Sequence, residues 1–182
     1  SLPPPEFVAV ILASSTGARL FPLTCPDHPK HLLPVGGIPM LARLLHALYM
    51  TGFHQVFVCV SSLDTKTCAM IKGLDGVVCG QQQQQYVFQD TLVITCVPVV
   101  GDSAGSVQAL QALDIPITSH VLVLPGDLVV VEPSCLEALV QAHRQGTNDT
   151  FAKMTEPATA CTMLLVDVGE QDEHGVPLKE SA

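Results

Sequence analysis

The stretch from Phe7 to Met40 constrains this chain more than any other feature. An apolar run, Phe7-Val8-Ala9-Val10-Ile11-Leu12-Ala13, leads into Ser14-Ser15-Thr16-Gly17-Ala18-Arg19-Leu20-Phe21-Pro22-Leu23-Thr24 and then Pro29-Lys30-His31-Leu32-Leu33-Pro34-Val35. An unbroken apolar run of strand length fits a strand buried on both faces, as in a parallel sheet covered by crossover helices. The long irregular segment behind it places two cations, Arg19 and Lys30, in a loop at the carboxyl end of that strand.

The rest of the chain repeats the alternation. Pro39 sits where a helix can begin, Leu41, Leu44, Leu45 and Leu48 recur on one face, and Gly52 ends the element. Gln55 to Val60 reads as the second strand. Asp64 to Lys72 reads as a helix with Ser61 or Ser62 available as its cap and Gly73 and Gly76 at its exit. The glutamine tract from Gln81 reads as a surface loop. Leu92 to Val100 is the third strand, Ala104 to Leu113 a helix ended before Pro116, and Val121 to Leu124 the fourth strand. Ser134 caps a further helix with Leu136, Leu139 and Val140 on its buried face, closed by Gly146, and Ala160 to Val168 can add another strand. Such units predict one α/β domain over residues 1–182, a doubly wound, mostly parallel sheet whose ligands bind at the carboxyl ends of the strands.

Composition narrows what such a domain could do. With eight Lys plus Arg against seventeen Asp plus Glu, the formal charge is −9. That excludes a phosphate-backbone grip on nucleic acid as the main task, because such affinity rests on clustered cations. Any nucleotide is held locally. The cysteines at 25, 59, 68, 79, 96, 135 and 161 form no Cys-x-x-Cys pair and mostly lie in apolar runs, so a reducing, cytoplasmic setting is expected. No run reaches the roughly 18 residues of a membrane span. The chain lacks an initiator Met and ends in the polar stretch Val168 to Ala182, from which one part of a longer protein is expected.

On these residues the chain resembles the nucleotidyltransferases that join a nucleoside triphosphate to a sugar-1-phosphate. Their opening reads roughly Leu-Ala-Gly-Gly-x-Gly-Thr-Arg-Leu-x-Pro-Leu-Thr, with Pro-Lys-x-Leu-Leu-Pro-Val behind it. The resemblance implies the Rossmann-like, three-layer sheet of the glycosyltransferase A-like type. It also implies nucleotide-binding positions at Leu12, Ala13, Ser14, Gly17, Arg19 and Lys30, and at Ser103, Ala104 and Gly105 in the turn after the third strand. Asp127, in Pro125-Gly126-Asp127 at the end of the fourth strand, matches the family's Mg²⁺ ligand. Nucleotidyl transfer asks the protein to position two anions and neutralise charge, which backbone N–H groups, cations and a hard metal supply.

The departures from that pattern bear on activity. Two family glycines are Ser14 and Ser15, the Thr before the Arg is Ala18, and Asp102 replaces a Gly in the second turn. Added Cβ atoms narrow a phosphate cradle and restrict positive φ, and a carboxylate aimed into it would repel phosphate. Asp102 also suits a helix N-terminus, its plainer reading. No match for the second metal carboxylate of active relatives is visible.

Two other constellations compete. Gly101-Asp102-Ser103-Ala104-Gly105 spells a hydrolase nucleophile elbow, with Asp127 and His143 in triad order, but too few strands precede Ser103 for the usual hydrolase sheet. Cys25, His28 and His31 have soft-metal spacing but offer only three ligands, and His31 occupies the variable position of the Pro-Lys-x-Leu motif.

Within the superfamily, Pro29 to Val35, Pro39 and Gly52-Phe53 together with the drifted glycine loop resemble the gamma-subunit family of the guanine-nucleotide exchange factor for eukaryotic translation initiation factor two. That resemblance implies a non-catalytic regulatory or scaffolding subunit, with Arg19 and Lys30 vestigial and no cofactor required. Its partners would be the other exchange-factor subunits and translation initiation factor two, and a left-handed β-helical domain would lie beyond Ala182. The alternative is an active, Mg²⁺-dependent nucleotidyltransferase of the mannose or glucose pyrophosphorylase type.

Overall fold

The opening apolar run forms β1 (Phe7–Ala13) in the computed structural model, which describes residues 6–15, 17–25, 28–62, 64–80, 84–99, 113, 119–129 and 132–152. Val8, Ala9, Val10 and Ile11 are fully buried, as are Val56 and Val58 of β4 (Gln55–Ser61). Successive strand residues point to opposite faces, so burial at consecutive positions means that both faces of the sheet centre are covered.

Between these strands lie the short hairpin β2 (Pro34–Val35) and β3 (Ile38–Pro39) and the helix α1 (Met40–Met50). Pro39 occupies the N-cap position of α1, and Gly52, at φ +80°, turns the chain out of it. Leu41, Leu44, Leu45 and Leu48 are buried to within 1% of complete, each contributing roughly 1.5–3 kcal/mol of transfer free energy. α2 (Lys66–Lys72) follows β4, then β5 (Val77–Cys79), β6 (Gln85–Phe88), β7 (Leu92–Val99) and β8 (His120–Pro125), and α3 (Ser134–Ala152) closes the described chain.

The sheet order is β5-β6-β7-β4-β1-β8. β7, β4, β1 and β8 run parallel, while β6 pairs antiparallel with β7 and β5 antiparallel with β6. The expected α/β, mostly parallel sheet is therefore present. From β1 the chain winds outward through β4 to β7 and returns to the other side of β1 as β8. That reversal opens a crevice at the carboxyl ends of β1 and β8, where such sheets bind ligands.

Local expectations differ in three places. α2 is capped by Asp64 rather than Ser61 or Ser62: Asp64 Oδ1 accepts the N–H groups of Lys66 and Thr67, each at 3.0 Å. Asp64 reaches both donors because it directly precedes the helix N-cap Thr65. α3 continues through Gly146 to Ala152, since a glycine lowers helix stability without enforcing a stop. The glutamine tract is not all loop: Gln85 opens β6, where it pairs with Thr95. The expected helix from Ala104 and the strand from Ala160 lie outside the described residues.

The chain divides into two compact units, Ser1–Leu136 and Glu137–Ala182. All the described strands, α1 and α2 belong to the first. In the second, the described residues are the continuation of α3. Cys25, Cys59, Cys68, Cys79, Cys96 and Cys135 are free thiols, and burial pushes Cys59 up to about 11, so it packs as a small apolar group. No described helix is long and apolar enough to cross a membrane.

Candidate functional site

β1 and β8 are in register from Phe7↔His120 to Leu12↔Pro125, and the ladder extends one step further through Gly126 N–H to Leu12 O at 2.9 Å. A Cβ on Gly126 would lie 3.0 Å from Leu12 O and from Ala13 Cβ. Glycine thus lets the chain after β8 close onto the end of β1, which sets Asp127 beside the loop that begins at Ser14.

That loop is shaped around Gly17, which holds φ +73°. Its carbonyl accepts the Leu20 N–H at 2.8 Å and the Thr24 hydroxyl at 2.6 Å, closing a compact turn. On its open side lies the stem of Lys30: a Cβ on residue 17 would meet Lys30 Cβ at 2.9 Å. Glycine at this position therefore admits the lysine. Thr24 is 2% exposed. Thr24→Val, which keeps the volume and deletes the hydroxyl, is expected to destabilise the protein by about 1 kcal/mol in urea melts.

Lys30 Nζ donates to Asp127 Oδ2 at 2.7 Å, with the two side chains 21% and 35% exposed. Residues far apart in sequence thus form a half-buried ion pair at the carboxyl ends of β1 and β8. Leu12 is half-buried and Ala13 buried in β1, Ser14 is half-buried just beyond it, and Ser15 is exposed. Arg19 is exposed in the single 3-10 turn Ala18–Leu20 and makes no ion pair among the described residues. Ser103, Ala104, Gly105 and Asp102 lie outside the described residues.

Among the described residues, a divalent cation here would meet one carboxylate, Asp127. Mg²⁺ accepts such a set when phosphate oxygens and water complete its six ligands, so the residues present fit it only together with a phosphate ligand. Among the described residues no group of three His, Cys, Asp or Glu side chains could hold a metal by itself. Cys25 Sγ lies 3.6 Å from His28 Nδ1, but His31 is engaged elsewhere: it is fully buried, with Nε2 2.6 Å from Thr67 Oγ1 and 3.5 Å from Asp64 Oδ2. Asp127, the acid of the alternative hydrolase triad, is likewise taken by Lys30.

The supporting residues are hidden from sequence reasoning. Thr24 is legible only as part of the motif, Gly126 only as the neighbour of Asp127, and Asp64 and Thr67 carry no signal linking them to His31. Burial pushes the Asp64 carboxyl up, but the hydrogen bonds from His31 and from the hydroxyl and N–H of Thr67, with the His31 charge, outweigh it and hold the group below the usual carboxylate range.

Comparisons with known proteins agree with this fold. The MobA-like NTP transferase domain matches residues 9–166. The bifunctional protein GlmU of Leifsonia xyli is 27% identical over 151 residues, which is 83% of this chain and 28% of GlmU. The translation initiation factor eIF2B subunit gamma of Schizosaccharomyces pombe is 30% identical over 133 residues, 71% of this chain and 26% of that subunit. The chain thus spans about a quarter of the length of these curated relatives. Among solved structures, a putative glucose-1-phosphate thymidylyltransferase from Bacillus anthracis superimposes with a TM-score of 0.59 at 22% identity, over 77% of this chain and 51% of that one, a likeness of fold.

Proposed function

The chain belongs to the MobA-like NTP transferase family, and on that premise we propose that it is a non-catalytic, nucleotidyltransferase-like part of a translation-initiation guanine-nucleotide exchange factor, with a regulatory or scaffolding role. The observation that carries this reading is the loop that follows β1, which runs on from Ala13 through Ser14 and Ser15. Ser14 and Ser15 add side-chain atoms where the active pattern has glycines, and a misplacement of about 1 Å can lower a rate about 10²-fold. The likeness to the S. pombe gamma subunit supports the same assignment. Its partners are then the other exchange-factor subunits and translation initiation factor two.

A second reading, an active sugar-1-phosphate nucleotidyltransferase, is favoured by one observation: Lys30 and Asp127 still converge at the switch point of the sheet, beside the loop from Ser14. The GlmU likeness supports it as well. In that case Asp127 would hold Mg²⁺ and Lys30 would neutralise phosphate.

Pyrophosphate release from GTP or ATP mixed with glucose-1-phosphate or mannose-1-phosphate and Mg²⁺ separates the two. The expected result is no turnover above the background of Asp127→Ala. Turnover abolished by that substitution would establish the second reading. Affinity purification followed by mass spectrometry should return exchange-factor subunits.

A further inference from the structure

We propose that His31 is a positioning residue for Lys30, which it does by tying the turn that carries the lysine to the N-terminus of α2. Lys30, His31 and Leu32 form one 3-10 turn, and the His31 ring is fully buried. The Thr67 hydroxyl has a single proton, which it donates to Asp64 Oδ2, so its oxygen accepts from His31 Nε2–H at 2.6 Å. Asp64 Oδ1 in turn accepts the first N–H groups of α2, from Lys66 and Thr67. The turn and the helix are therefore joined by an ordered chain of polar bonds. One residue before the ring, the Lys30 stem rests against Gly17 and its ammonium reaches Asp127.

Filling space does not account for the imidazole. His31 Nδ1 is buried without a hydrogen-bond partner among the described residues, a penalty that an apolar side chain of similar volume would avoid. What the imidazole supplies and an apolar group cannot are the directed bond to Thr67 and the approach of the same Nε2 to Asp64 Oδ2 at 3.5 Å. With the ring fixed at one end and Gly17 shaping the other, Lys30 has little freedom to leave Asp127, and a displacement of the α2 N-terminus is transmitted to the site.

This inference uses the nucleotidyltransferase-like reading only to say what Lys30 faces, and its test adds no nucleotide, so failure of that reading leaves the readout intact. The protein is labelled briefly with acetic anhydride, and acetylation of Lys30 is measured by mass spectrometry relative to Lys72, an exposed lysine at the far end of α2. Thr67→Val and His31→Leu are expected to raise the Lys30 to Lys72 ratio about threefold, the scale on which loss of a partly exposed ion pair shifts a population. His31→Gln, which retains a donor near the Nε2 position, is expected to return the ratio toward wild type. A merely structural role would lower the melting temperature and leave the ratio unchanged. If His31→Leu does not fold, Thr67→Val, which preserves shape, decides the matter. An unchanged ratio in a variant that melts cooperatively overturns the proposal.

Discussion

Gly126→Val is expected to destabilise the protein by about 3 kcal/mol and to part Asp127 from Lys30. The first side-chain atom at residue 126 would stand 3.0 Å from Ala13 Cβ, 3.0 Å from Leu12 O and 3.1 Å from Ala13 Cα. None of these is the end of a flexible side chain. All belong to β1, which is paired on both sides and cannot retreat without breaking its ladders to β4 and β8. Overpacking against a fixed backbone costs about 1–3 kcal/mol, and lengthening the Gly126 N–H to Leu12 O bond adds about 1 kcal/mol more. Gly126→Ala tests the same contact with less bulk and should fall near half of the valine effect. Urea unfolding gives both values; a valine variant within about 0.5 kcal/mol of wild type would mean that the splice between β1 and β8 yields easily.

The residues themselves explain how far the sequence could be read. β1, β4 and β7 were legible because each is an apolar run of strand length, and α1 because its leucines recur on one face between Pro39 and Gly52. The hairpin joining β6 to β7 was not. Its turn places Gln89 and Asp90 at φ +50° and +58°, a conformation that sequence signals assign to Asn-Gly or Gly-Gly, and neither residue announces it. The same blindness hid β5 and β6, so the sheet gained two strands joined by antiparallel pairing on one edge. At the site, Lys30 and Asp127 were legible one at a time, through motifs, while their meeting depends on β8 returning to the side of β1 away from β4. His31 gave the least warning. A polar residue between Lys30 and Leu32 looks like any variable loop position until the fold brings Thr67 and Asp64 to it.

That buried triad carries the second large effect. Asp64→Ala is expected to destabilise the protein by about 2–4 kcal/mol, because two losses combine. The substitution removes the acceptor for the first N–H groups of α2, a cap worth about 1 kcal/mol. It also leaves the Thr67 hydroxyl without its acceptor beside a buried imidazole, and an unsatisfied buried polar group costs about 1–3 kcal/mol. Acid dependence separates the charge from the shape. The folded-state pKa of Asp64 lies below its unfolded value, so its charge contributes stability that is fully present above the unfolded carboxylate value of about 3.9 and is lost as pH falls through the lower, folded value. The difference in unfolding free energy between wild type and Asp64→Asn should therefore stay level from neutral pH down to about pH 5 and shrink below about pH 4. A gap that persists undiminished in acid would assign the stabilisation to hydrogen-bond geometry alone, and a gap that grows would reverse the sign of the argument.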